Sequence, residues 1–257
     1  MVTSRTLPNS DQAWMERALV LARESRGHVW PHPPVGCGVV KDGAAVAEAA
    51  THPGGRPHAE RKAIDLAGQS ASEATLFVTL EPCCHWGKTP PCTDAIIDAG
   101  ISRVVCAVQD PDPRVNGGGF EELRRAGIDV TIGVGAERAK TLMSGFFHRI
   151  RTGTPEVMAS TVGPGLIPDG VDGVLVSRKK AVVLTTRSGT IESELRNPHH
   201  LLEWMGDLGL TTVAIPKQDA FWCHGQSHGD VHGQSHGDVN ECNYTSKTTS
   251  PLREIGA

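Results

Sequence analysis

"CGVVKDGAAVAEAAT", Cys37 to Thr51, decides how this chain folds. Two short β-prone runs flank Asp42-Gly43, the dipeptide that favours a two-residue turn because both positions tolerate positive φ. The stretch therefore predicts an antiparallel hairpin. Downstream, strands and helices alternate: helix over 58–67 closed by Gly68, strand over 74–80, helix over 93–99 closed by Gly100. Strand "ISRVVCAV", helix "GFEELRRAG", strand "IDVTIGV" and one last helix, "GAERAKTLMSGFFHRI", follow. Strands joined through helices pair in parallel by right-handed crossovers. Upstream, Trp14, Met15, Ala18, Leu19, Leu21 and Ala22 give a helical pattern over 11–26 that Asp11 would cap. The expectation is a three-layer α/β/α domain over 1–149, with a mixed five-stranded sheet between helices.

Beyond Arg151 the pattern weakens. Two β-like runs in "GLIPDGVDGVLVSRKKAVVLTTRSG" and a helix–Gly–strand in "PHHLLEWMGDLGLTTVAI" suggest half of a further α/β unit over 150–218. From 219 to 257 the chain is polar, and His224–Val231 recurs unchanged as His232–Val239. An octapeptide with one apolar residue cannot bury a core, so this tail is expected to be disordered.

Composition excludes some functions. The 257 residues carry a net charge of −4, so no basic surface argues for nucleic acid. No apolar run reaches membrane-spanning length. The chain starts without the apolar core of an export signal, and its seven cysteines are odd in number. Both favour reduced thiols, metal chemistry and a cytoplasmic setting.

The chemistry lies in His58-Ala59-Glu60, Pro82-Cys83 and Pro91-Cys92. Zinc deaminases carry a His-x-Glu followed by a Pro-Cys pair and a second cysteine, with the glutamate off the metal. Here the second cysteine comes nine residues after the first, and "CHWGKTPP" fills the gap. His58 and Cys92 both start helices after proline, where negative charge and thiolates are favoured. One imidazole and two thiolates make three protein ligands for one Zn2+ per chain, leaving the fourth corner to water. Zinc lowers that water's pKa toward neutrality, and Glu60 is placed to shuttle the proton. Cys84, adjacent to Cys83, reads as a neighbour of the site. As a fourth ligand, it or His85 would instead close the site into a structural staple. Cys37 and Cys106, in β-like runs, read as small buried apolar residues.

With these residues in hand, the sequence resembles the pyrimidine deaminase family of riboflavin biosynthesis, a branch of the cytidine deaminase-like fold. The matching segments are "HPPVG" (His32–Gly36), His52, "HAE" (His58–Glu60), "VTLEPCCHWGKTPPC" (Val78–Cys92) and "DPDPRVNGGG" (Asp110–Gly119), within about 11–149. The resemblance implies hydrolytic deamination of a diamino-hydroxy-phosphoribosylaminopyrimidine, a small-molecule substrate. It implies zinc on His58, Cys83 and Cys92, and substrate contacts from His32, His52, His85, Lys88, Thr89 and Asp110. Lys88 and the glycines near Gly117 would receive the phosphate. It also implies assembly into homo-oligomers. Three positions depart from the family: His32 replaces an asparagine, Cys84 a serine and Gly118 a lysine. These departures open the alternative of a related pyrimidine or pterin-like substrate. Family members often continue into an NADPH-dependent reductase. Here the Gly-rich cofactor loop is replaced by "PKQDAFW", so the 150–218 segment is expected to be a truncated remnant that binds no NADPH.

Overall fold

A computed structural model describes residues 10–161, 166–179, 181–195, 197–217 and 219. Helix α1 (Asp11–Ser25) comes first. Its N-cap is Ser10, whose side chain accepts from the Ala13 N–H at 3.3 Å. Asp11 therefore does not cap. It lies one residue inside the helix and pairs instead with Arg103.

The hairpin forms as the Asp-Gly pair requires. Strands β1 (Gly36–Lys41) and β2 (Ala44–Ala50) are joined by Asp42 at φ 52° and Gly43 at φ 73°, two left-handed positions in succession. Strand β3 (Thr75–Val78) pairs antiparallel with β1. Helices α2 (Ala59–Ala67) and α3 (Cys92–Asp98) flank it in sequence. Strands β4 (Arg103–Cys106) and β5 (Asp129–Ile132) are parallel to β3, with α4 (Gly118–Arg125) between them. The sheet runs β2-β1-β3-β4-β5, mixed as expected. Helices α2, α3 and α4 contact one another, α1 packs on β1 and β2, and the core between the layers includes Met15, Leu19, Leu76, Ile96, Val104 and Leu123. Gly36 is required by packing: a Cβ there would run into the Ala18 carbonyl of α1.

The last helix of this half is not continuous. It breaks at Met143 into α5 (Ala136–Leu142) and α6 (Ser144–Thr152). Just past the break, Gly145 rests against Thr211 and Thr212 so closely that no Cβ would fit. The break turns the chain onto a second sheet.

That sheet is fuller than the sequence suggests. Strands β6 (Glu156–Ser160), β7 (Gly173–Ser177), β8 (Val182–Thr186), β9 (Gly189–Ser193) and β10 (Thr212–Pro216) run in the order β6-β10-β7-β8-β9. Strand β10 is parallel to β6 and β7, and the β7-β8-β9 meander is antiparallel. Helix α7 (Pro198–Asp207) is capped by Asn197, which accepts from the His199 and His200 N–H groups. Leu175, Leu184, Leu201, Met205, Leu210, Val213 and Ile215 form this sheet's own core. The two sheets meet through Arg187, whose Nη1 donates to the Gly27 and Val171 carbonyls, and through Arg149, whose Nε donates to the Gly206 carbonyl. Asp219 is ordered, accepting from the Ser177 N–H and Oγ–H, both at 2.7 Å. The octapeptide repeat lies outside the described residues, among which no helix is long and apolar enough to cross a membrane.

Candidate active site

His58 is the N-cap residue of α2. Its backbone is extended and its side chain does not cap the helix, which leaves the imidazole free to point at the thiols. Cys92 opens α3 behind Pro91, and its backbone N–H donates to Cys83 Sγ at 3.3 Å. Cys83 sits in the loop after β3. His58 Nδ1 lies 3.3 Å from Cys92 Sγ and 3.7 Å from Cys83 Sγ. Zinc with Zn–N of about 2.05 Å and Zn–S of about 2.3 Å at tetrahedral angles separates N from S by about 3.6 Å. The donor set thus fits a zinc ion, and the three ligand atoms all lie within 4.8 Å of one another. Among the described residues this is the cluster of three metal-competent side chains.

Charge supports the same arrangement. Hydrogen bonds from Cys92 and His58 pull the Cys83 thiol down to about 4, while the bond to Cys83 pushes Cys92 well above the usual thiol range. A cation held between the two sulfurs would favour the thiolate form of both. Glu60, in the first turn of α2, is 4% exposed, and burial pushes its carboxyl up to about 7. It lies against the cluster, close enough for the charges of His58 and Cys83 to act on it.

The cluster opens on a cavity of about 330 Å³. His58, Cys83 and Glu60 line it, with His32, His85, Thr89 and Asp110 of the sequence-predicted substrate residues. His52 and Lys88 are exposed and lie outside the lining. His52 Nδ1 instead lies 2.9 Å from the carbonyl of its neighbour Pro53. The His32 ring stands edge-on to His58, 5.7 Å between centroids, and burial lowers its pKa to about 4, so His32 is neutral at pH 7. Burial raises Asp110 to about 6. Cys84 turns away from the cluster, its Sγ 3.8 Å from the Arg114 carbonyl and close to the start of α4. Cys37 and Cys106 are fully buried, as their strands suggested, and burial pushes both thiols up.

Four residues escape sequence reasoning. Glu81, 3% exposed, accepts backbone N–H groups from Asp110 (3.1 Å), Gly117 (3.0 Å), Gly119 (3.0 Å) and Phe120 (3.4 Å). It thereby ties the Asp110–Gly119 loop to the Pro82-Cys83 loop. Its only signal was a carboxylate beside Pro-Cys. Arg56 and Arg149 line the cavity without any local motif, and Asp112 lines it from within the "DPDP" segment, where sequence reasoning assigns that position no role.

Similarity to known proteins falls on the half of the chain that carries this cluster. Residues 8–108 match the cytidine and deoxycytidylate deaminase zinc-binding region. The chain is 50% identical over 147 residues to riboflavin biosynthesis protein RibD of Escherichia coli (strain K12), covering 57% of this chain and 40% of that protein. It is 43% identical over 145 residues to the diaminohydroxyphosphoribosylamino-pyrimidine deaminase of Buchnera aphidicola subsp. Schizaphis graminum, covering 56% of this chain and 99% of that one. The matched segment thus spans about two fifths of the length of RibD and nearly all of the shorter deaminase. In three dimensions, the diaminohydroxyphosphoribosylaminopyrimidine deaminase/5-amino-6-(5-phosphoribosylamino)uracil reductase of Thermotoga maritima superposes with a TM-score of 0.68 at 29% identity, covering 86% of this chain and 84% of that one.

Proposed function

The chain belongs to the diaminohydroxyphosphoribosylaminopyrimidine deaminase family, and from that premise we propose that it hydrolyses the exocyclic amine of a diamino-hydroxy-phosphoribosylaminopyrimidine, a riboflavin-pathway step, and releases ammonia. The observation that carries the reading is the three-ligand cluster opening beside buried Glu60 onto a cavity.

His58, Cys83 and Cys92 would hold zinc, which supplies the Lewis acidity that makes hydroxide available near neutral pH. Glu60 takes a proton from the attacking water and returns it to the departing amine, so water and the C–NH2 group become C=O and ammonia. A carboxyl held at about 7 can both accept and donate at neutral pH. Neutral His32, with His85, Thr89 and Asp110, lines the space for the ring. Glu81 is a positioning residue that fixes the loop carrying Asp110. His52 and Lys88 are the weaker members of the substrate set, standing outside the lining.

A second reading keeps the chemistry and changes the pyrimidine, because an imidazole, His32, occupies the wall beside the metal ligands. Ammonia release by zinc-loaded protein decides between them. The riboflavin intermediate should turn over faster than other aminopyrimidines. Turnover of a pterin-like amine but not of the intermediate would favour the second reading. The segment 150–218 is read as a reductase-like unit that binds no NADPH, supported by the "PKQDAFW" that follows β10. Saturable NADPH binding in a fluorescence titration would contradict this. Self-association and a cytoplasmic setting complete the reading. The first rests on the resemblance and is checked by light scattering of the full chain.

A further inference from the structure

The start of α4 offers three successive glycines, Gly117 to Gly119, a natural cradle for a phosphate. The structure shows the cradle already filled. The Gly117 and Gly119 N–H groups donate to the Glu81 carboxylate, and the Gly118 N–H donates to the Val115 carbonyl at 2.6 Å. A side chain at 118 would meet Cys84 Sγ within 3.1 Å of its Cβ. No donor is left there for a second anion.

Three arginines line the cavity. Arg114 is held by Asp112, its Nε 3.0 Å from one carboxylate oxygen and 3.1 Å from the other. Arg149 donates its Nε to the Gly206 carbonyl. Arg56 differs. Its Nε and Nη1 are buried and have no hydrogen-bond partner among the described residues. Its Nη2 lies 3.8 Å from where a Cβ on Gly87 would stand, and its charge reaches both His32 and His58. His85 Nδ1, on the same cavity, is likewise buried without a partner. Two buried guanidinium N–H groups without acceptors are costly to keep, and the flat fork of an arginine matches a phosphate by two parallel bonds.

We infer that Arg56, on the loop leading into the metal-binding helix, is the residue that receives the substrate's phosphate in this chain, in place of the glycine cradle at α4. This rests on the proposed deaminase reading and deepens it. In that arrangement the phosphate enters beside Gly87, the unpartnered His85 Nδ1 faces the same space, and selection for a phosphorylated pyrimidine resides in one side chain.

The test uses zinc-loaded full chain, Arg56→Gln, Arg56→Lys and Lys88→Met, assayed for ammonia from the phosphoribosylamino-pyrimidine and from its dephosphorylated form. The parent's preference for the phosphorylated substrate should shrink by about a hundredfold in Arg56→Gln, mainly through KM, as expected when a charge-assisted pair is lost. Arg56→Lys should recover part of it. Equal losses on both substrates, or a preference that collapses in Lys88→Met and not in Arg56→Gln, would overturn the assignment. Calorimetry with ribose 5-phosphate against ribose reads the same contact without turnover. Phosphate-dependent binding present in the parent and absent in Arg56→Gln supports the inference even if neither pyrimidine is deaminated, a result that would count against the deaminase reading alone. Identical binding by both proteins refutes it.

Discussion

The two halves differ in where buried polar groups are left without partners. In the second, Asp172 is 2% exposed and its Oδ2 accepts from the Thr211 N–H, the Thr211 hydroxyl and the Thr212 N–H at 2.6, 2.8 and 3.0 Å. Asp219 is likewise matched by both donors of Ser177. In the first, every buried side-chain atom that lacks a partner among the described residues falls between Arg56 and Thr93: Arg56 Nε and Nη1, His58 Nε2, His85 Nδ1 and Thr93 Oγ1. Unmatched buried donors destabilise a fold unless something else binds them. The unmatched groups thus gather around the proposed site, while the second half pairs its buried carboxylates within itself.

Four experiments press on this difference. The largest effect is expected from Glu60→Gln, which should cut ammonia release by about a thousandfold while zinc content stays at the parent level. Unchanged turnover would remove the glutamate from proton transfer. Next, Cys92→Ala should lower bound zinc to less than about a tenth of an ion per chain, since two ligands hold zinc poorly. Atomic absorption after dialysis reads this, and full retention would break the ligand assignment.

The third and fourth compare two buried carboxylates. Asp172→Ala leaves three donors without an acceptor and should destabilise by about 3 kcal/mol in urea unfolding, with zinc content and kcat intact. A large loss of kcat would mean the second sheet takes part in the chemistry. Asp110 has one backbone donor, from Asp112, and burial raises it from 3.8 to about 6. Well below pH 3.8 it is protonated whether folded or unfolded and contributes nothing. As pH rises through 4 to 6 the unfolded chain ionises first, so stability is lost. Asp110→Asn should match the parent well below pH 3.8 and exceed it above pH 6, by up to about 2 kcal/mol once partial exposure to solvent is allowed for. A constant difference across that range would show that Asp110 titrates normally.

Much of the first half was legible because its signals are local. Asp42-Gly43 sets two left-handed positions by itself, and His58, Cys83 and Cys92 each follow a proline in a short motif. The close approach of Gly145 to Thr211 and Thr212 was not legible, since its partners lie far along the chain. Strands β6 and β9 were missed because "EVMAS" and "GTIES" are short and mixed in polarity, and they pair only once β10 and β8 are in place. Glu81 and Arg56 are invisible for a related reason. One is defined by four backbone donors brought together by folding, the other by the absence of any partner. Neither property is written in neighbouring residues.

The proposed chemistry needs a metal held by one nitrogen and two sulfurs, with a corner left for solvent. X-ray absorption at the zinc edge of the loaded full chain measures this directly. The expected first shell is two sulfurs at about 2.3 Å and two nitrogen or oxygen atoms at about 2.0–2.1 Å, one of which exchanges for an added anion. Three sulfurs, with Cys84 as the third, or a second imidazole that no anion displaces, would mean a closed structural site and would contradict the account.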